Sequence, residues 1–204
     1  MRQKTLTYNS IRMTILHISD THGRHKELGV LPPADILVHT GDLSNYGSED
    51  EVLSAIEWLM TLPYRHKIFV AGNHDFCLFD AENIEGLPDN VHFLHNNGVV
   101  VDGISFYGIT FTNPSVPDKT TADVLISHEP PRGILDYEND THWGSEKVLL
   151  LVSKLHPKYH LFGHVHGNNG IVTIEETTFV NSSIMNRNNC MDNPPRLIKY
   201  DFDK

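Results

Sequence analysis

The sequence is poor in cysteine and in basic residues, and it has no long apolar run. Its two cysteines, Cys77 and Cys190, lie far apart and outside any C-x-x-C spacing. That excludes a disulfide framework and a cysteine zinc site, and it points to a reducing compartment, the cytoplasm. No stretch approaches the roughly 18 to 20 consecutive apolar residues of a membrane-spanning helix, so no membrane partner is expected. Sixteen Lys+Arg stand against 26 Asp+Glu, a formal net charge of −10 with no basic cluster. A surface that wraps long duplex nucleic acid by neutralising its phosphates is therefore excluded. Low-complexity segments, internal repeats and interdomain linkers are also lacking. Residues 1–12 have neither the apolar core nor the small-residue cleavage site of a secretory signal, and they read as a loose leader with Met13 a second candidate start.

What the chain does have is enough for one core. Its 204 residues, 39% hydrophobic and 21% charged, suit a single globular domain, expected over residues 13–204. Histidine is in excess, with 14 copies, and position decides whether that means metal chemistry.

Five short β-branched or apolar runs each stop at a polar cluster. Residues 14–19 end at Asp20-Thr-His-Gly23, and residues 35–40 end at Gly41-Asp42. The run at 67–71 ends at Gly72-Asn-His-Asp75, that at 123–127 at His128-Glu-Pro-Pro131, and that at 159–162 at Gly163-His-Val-His166. These read as buried strands delivering polar residues at their carboxyl ends. Between them, Ser48-Glu-Asp-Glu51 is a capping box that opens a helix with Val52, Leu53, Ile56, Leu59 and Met60 at helical spacing, stopped by Pro63. Ser145 caps a second helix that Pro157 stops. Residues 104–107, 171–174, 178–180 and 197–200 read as further strands joined by short turns. The expected class is an α/β domain with a mixed sheet or two packed sheets, its ligands gathered at the strand carboxyl ends.

Taken singly, each polar cluster has an ordinary explanation: a capped turn for Asp20-x-His22, a turn dipeptide for Gly41-Asp42 or Gly72-Asn73, a structural role for His128. Taken together they offer carboxylate, amide and imidazole donors in one strand-end series. The two-residue spacings of Asp20/His22 and His164/His166 put each pair on one side of extended backbone. Mixed imidazole and carboxylate ligands suit Mn, Fe, Co, Ni or Zn, whereas Ca and Mg favour oxygen alone. Seven candidate ligands, Asp20, His22, Asp42, Asn73, His128, His164 and His166, exceed the needs of one catalytic ion with an open position. They suit two ions sharing a carboxylate.

In type and order, Asp20-x-His22, Gly41-Asp42, Gly72-Asn73-His74-Asp75, His128 and Gly163-His164-x-His166 resemble the motifs of the calcineurin-like metallophosphoesterases. The stretches 19–24 (Ser-Asp-Thr-His-Gly-Arg), 31–42, 179–183 and 193–195 resemble the MPPED-like metallophosphodiesterases more closely. The segment from Phe111 to Asp123 is shorter than the corresponding loop of that group, so part of the substrate-facing rim is expected to be missing.

The resemblance implies a four-layer αββα sandwich, two mixed β-sheets flanked by helices, with metals at the sheet carboxyl edges. It implies two divalent ions (Mn, Fe, Zn or Ni), the first held by Asp20, His22 and His166, the second by Asn73, His128 and His164, with Asp42 bridging. The implied reaction is phosphoester hydrolysis by a hydroxide held between the ions. His74 would protonate the leaving oxygen, Asp75 would orient His74, and Arg24 could meet a substrate phosphate or base. Small phosphodiesters are the implied substrates, cyclic nucleotides among them. The alternatives are a phosphomonoesterase or nuclease, or a non-catalytic metal-binding scaffold. The remaining nine histidines, at 17, 25, 39, 66, 92, 95, 142, 156 and 160, are read as structural, His39 as a buttress of the Asp42 turn.

Overall fold

Each of the five apolar runs forms a strand with both faces covered. The computed structural model describes residues 12–202. In chain order its first half contains β1 (Arg12–Ile18), β2 (Ile36–His39), α1 (Glu49–Thr61), β3 (His66–Phe69), β4 (Val91–Phe93), β5 (Asn97–Val101) and β6 (Ile104–Gly108). The second half contains β7 (Val124–Ile126), β8 (Tyr137–Glu138), β9 (Thr141–His142), α2 (Glu146–Leu155), β10 (Tyr159–Phe162), β11 (Gly170–Ile174), β12 (Thr177–Asn181) and β13 (Arg196–Asp201). Of the leader expected over residues 1–12, all but Arg12 lies outside the described residues. Arg12 is the first residue of β1 and pairs with Asp201 across the sheet (Nε to Oδ1, 2.6 Å).

Two mixed sheets result. One runs β13-β1-β2-β3-β4 and the other β11-β12-β10-β7-β6-β5, with β8 and β9 forming a separate small hairpin. The centres of both sheets are parallel, and β13, β11 and β5 are their antiparallel members. Parallel strands need both faces covered, and the alternation along each strand shows how this is met. Ile15, Ile36, Val38, Ile68, Val124, Ile126, Leu161 and Val180 meet in one cluster between the sheets. Their neighbours in sequence turn outward. Leu16, Leu37 and Phe69 pack under Val52, Ala55, Ile56 and Leu59 of α1, while Leu125, Phe162 and Phe179 pack under Val148 and Val152 of α2. Three apolar layers therefore separate four structural ones, the αββα order expected from the resemblance, with a single α-helix on each outer face.

Local sequence fixes both helices. The Ser48 hydroxyl accepts from Glu51 N (3.3 Å) as the N-cap, and the Glu51 carboxylate reaches back to accept from Tyr46 N (2.9 Å), two residues before the Ser48 N–H of a standard capping box. Leu62, ahead of Pro63, is already extended, as the proline ring requires. Ser145 caps α2, which ends in a left-handed His156 before Pro157. No helix among the described residues is long and apolar enough to cross a membrane.

Candidate metal centre

The donors sit on loops that leave the parallel strands at their carboxyl ends: Asp20 and His22 after β1, Asp42 after β2, Asn73 to Asp75 after β3, His128 after β7, His164 and His166 after β10. Four of the seven expected ligands adopt positive φ without being glycine: Asp20 (57°), His22 (43°), Asp42 (55°) and His164 (68°). Each such residue costs about 1–2 kcal/mol, and such strain gathers at functional sites whose surroundings over-determine it. Here the surroundings are backbone ties between loops. Asp20 N donates to Gly41 O, His22 N to Asp42 O, and Gly163 N to His128 O, each at 3.0 Å. Two motif glycines answer to close approach. A Cβ on Gly72 would fall onto the Asp42 carboxylate and amide, and one on Gly163 onto the side chains of Ser19 and Asp20.

The donor atoms fall into two groups that meet at Asp42. In the first, His166 Nε2 lies 3.3 Å from His22 Nε2 and 3.5 Å from Asp20 Oδ1, and His22 Nε2 lies 3.5 Å from Asp42 Oδ2. In the second, Asn73 Oδ1 lies 2.8 Å from His128 Nε2 and 2.9 Å from His164 Nδ1, and His128 Nε2 lies 3.4 Å from Asp42 Oδ2. Asp20, His22 and His166 place one ligand atom each within 4.8 Å of one another, as do Asp20, Asp42 and His128. His22 Nδ1 is buried with no hydrogen-bond partner among the described residues, so the polar contacts of that ring lie at Nε2, inside the cluster. Two carboxylates, one amide oxygen and four imidazoles turned on one another make a donor set that fits divalent transition ions.

The electrostatics agree. Burial alone would raise Asp20, yet the His166 hydrogen bond and the charges of His128, His166 and His22 hold its carboxyl well below the usual range. Asp42 is lowered too, its burial outweighed chiefly by His128. Burial opposes a charge on His128, but the Asp42 and Asp20 carboxylates push it up to about 10. His164 goes the other way, to about 4, through burial and the charge of His128. Both carboxylates are thus ionised at neutral pH although they are buried, while His22, Asn73, His164 and His166 are only half-buried.

His74 and Asp75 occupy different positions. His74 N donates to Asp42 Oδ1 (2.8 Å), and the ring's Nδ1–H donates to Asn45 O (2.7 Å). The ring stands edge-on to His22 with centroids 4.8 Å apart, and its Nε2 makes no hydrogen bond among the described residues. Asp75 makes no hydrogen bond to that ring. It accepts from Gly72 N (2.9 Å), Leu43 N (3.2 Å), Ser44 N (2.9 Å) and Ser44 Oγ (2.8 Å), which ties the β2 loop to the β3 loop. Arg24 forms a two-pronged pair with Glu27 (3.0 and 2.7 Å) and donates to Asn189 O (3.3 Å).

Of the remaining histidines, His17 bridges Thr40 Oγ1 (3.0 Å) and Ser182 Oγ (2.7 Å), which joins the two sheets. His39 meets Thr21 Oγ1 (3.0 Å) and so buttresses the Asp20–His22 loop rather than the Asp42 turn. A cleft of about 540 Å³ opens beside the first donor group, lined by His22, Arg24, Tyr46, His74, His166 and Asn189. Sequence reasoning did not single out Asn45, Tyr46 or Ser44, which carry no periodic or motif signal. In the sequence, Asn189 stands out only as part of the asparagine-rich stretch 186–189, a candidate for the rim of the site.

Comparison with known proteins bears on this geometry. The family model for calcineurin-like phosphoesterase matches residues 13–168. UPF0046 protein K07C11.7 of Caenorhabditis elegans is 32% identical over 90% of this chain and 73% of its own length. Human metallophosphoesterase domain-containing protein 1 is 32% identical over 89% of this chain and 69% of its own. Among solved structures, vacuolar protein sorting 29 from Cryptosporidium parvum has the same fold at 15% identity, with a TM-score of 0.51 over 93% of this chain and 86% of that one. The chain belongs to the calcineurin-like phosphoesterase family.

Proposed function

We propose that this protein is a two-metal phosphodiesterase acting on small diesters, cyclic nucleotides among the candidates. The observation that carries this reading is the place of Asp42, whose Oδ2 stands 3.5 Å from His22 Nε2 and 3.4 Å from His128 Nε2, so that one carboxylate serves both donor groups. Two divalent ions held there, Mn, Fe, Zn or Ni, would polarise the phosphoryl oxygens and bring the pKa of the attacking water toward about 7.

The chain's own residues supply the rest. Asp20, His22 and His166 on one side and Asn73, His128 and His164 on the other would hold the ions, with Asp42 between. His74 is fixed by Asn45 at Nδ1, which leaves Nε2 to pass a proton to the leaving oxygen. Asp75 keeps the two loops that carry Asp42 and His74 in register. A cleft of about 540 Å³ suits a small ligand, and the charge of −10 disfavours long duplex. Two exposed free cysteines, Cys77 and Cys190, fit a reducing compartment such as the cytoplasm.

Steady-state hydrolysis of bis(p-nitrophenyl) phosphate and p-nitrophenyl phosphate with added Mn, Ni or Zn tests the reading. Diester turnover that vanishes in Asp42→Asn supports it. Metal uptake without turnover of either ester, or turnover of the monoester alone, overturns it.

A further inference from the structure

The residues that hold His166 lie outside the family-matched segment. The His166 ring donates from Nδ1 to Asn189 Oδ1 at 3.1 Å, which leaves Nε2 facing Asp20 and His22. A ligating imidazole commonly has its other nitrogen held, and that bond sets the tautomer and the ring's orientation. For His128 the partner is a backbone carbonyl, Thr40 O at 2.8 Å. For His166 it is a side chain, on a loop some twenty residues downstream of the last metal motif.

That loop is built to present Asn189. The Asn186 side chain accepts from Asn188 N (2.8 Å) and Cys190 N (3.1 Å), and its backbone joins Cys190 and Asn189 (both 2.8 Å). Asn189 itself is left-handed at φ 56°, a conformation asparagine tolerates better than other side chains. Arg24 NH1 donates to Asn189 O (3.3 Å) and Asn193 Nδ2 donates to His166 O (3.1 Å). Asn189 and Asn193 therefore grip His166 at ring and backbone, and an arginine four residues past Asp20 ties the loop to the first motif.

We infer that Asn189 is a positioning residue for His166, and that the 186–193 loop completes the metal centre by fixing that ring with its Nε2 turned inward. This rests on the metal-centre reading above. It adds that binding strength at the first donor group is set by a residue beyond positions 13–168, and that Arg24 acts there as a brace for the loop.

The test uses two variants chosen for the left-handed backbone. Asn189→Gly removes the acceptor without adding strain, and Asn189→Asp keeps an acceptor. Calorimetric titration of the metal-free protein with Mn or Zn is read beside the ¹⁵N–¹H long-range correlation of His166, recorded at alkaline pH so that this ring, whose protonation Asp20 favours, is neutral. The expected result is a proton on Nδ1 in the parent protein and a mixed tautomer in Asn189→Gly, with affinity at one metal position weakened about 10–100-fold. Asn189→Asp, which keeps an acceptor, should lose less than about 10-fold, the lower end of that range, and keep the proton on Nδ1. Unchanged affinity and tautomer in Asn189→Gly overturn the inference, as does an equal loss in both variants. If the parent chain took up no metal, the proposed function would fail, while the His166 tautomer would still decide the role of Asn189.

Discussion

Asp75 Oδ1 accepts from the Ser44 amide at 2.9 Å and lies 2.8 Å from the Ser44 hydroxyl, which His74 O also faces at 2.9 Å. A carboxylate next in sequence to His74 thus works on the opposite loop. With Gly72 N and Leu43 N also donating to it, Asp75→Ala would leave three backbone N–H groups without acceptors in a buried place. An unsatisfied buried donor costs about 1–3 kcal/mol, and neighbouring losses are not additive, so a drop of about 3 kcal/mol is expected. Urea unfolding of the metal-free protein measures it. A loss below about 1 kcal/mol together with a collapse of turnover would show that Asp75 acts in the chemistry instead.

Gly72 offers a cleaner separation of fold from site. A methyl group there meets the Asp42 carboxylate and backbone, so Gly72→Ala should displace the shared ligand and reduce metal uptake. Gly86 is the control, with φ 82° and open space around its would-be Cβ. Gly86→Ala should cost about 1 kcal/mol of backbone strain and leave metal uptake unchanged. Elemental analysis of both purified variants, each reloaded with Mn, decides the matter. Full metal content in Gly72→Ala would mean that Asp42 has another place to go.

His74 should matter in proportion to the leaving group. The p-nitrophenolate ion departs without a proton, whereas an alkoxide needs one, and a positioned acid contributes about 10²–10⁴-fold. His74→Ala should therefore lower kcat by about that factor for an alkyl leaving group and far less for p-nitrophenolate. Equal losses for the two classes would reassign His74 to holding metal or substrate, a role its place beside His22 and Asp42 also permits.

How much of this was legible before the structure depends on what each residue does. The strand ends could be read because a parallel strand buried on both faces must be apolar until it reaches the edge, so Asp20, Asp42 and His164 each punctuate a run. The caps at Ser48 and Ser145 were equally local. Val91–Phe93 is three residues long, and Asn97–Val101 is a largely exposed edge strand, so neither has enough burial to set a pattern, and both escaped notice. Division into two sheets was implied by the resemblance rather than by periodicity, since a doubly buried strand shows no alternation that tells one face from the other. The pairing of Asn189 with His166 was illegible for a different reason. The two lie 23 residues apart, and only the closed loop brings them together.

The histidines outside the centre make acid the protein's vulnerable side. Burial pushes His160 down to about 3, and burial also takes His39 to about 3. In the unfolded chain each would bind a proton near pH 6.5. Between these values the unfolded state holds more protons than the folded one, so the stabilisation is complete above about pH 6.5 and is lost as pH falls toward 3. Each residue contributes about 1.4 kcal/mol per pH unit in that window. His128 and His166, raised in the fold, are protonated in both states there and add no slope, while Asp75, raised by burial and the Asp42 charge, opposes it by at most one proton. Urea unfolding of the metal-free protein between about pH 6 and pH 5 should show stability falling with acid. His160→Gln should flatten that fall by about 1.4 kcal/mol per unit. If the variant kept the parent's slope, His160 would have to be protonated inside the fold, and its bond to Ser127 Oγ at 2.8 Å would be that of an imidazolium.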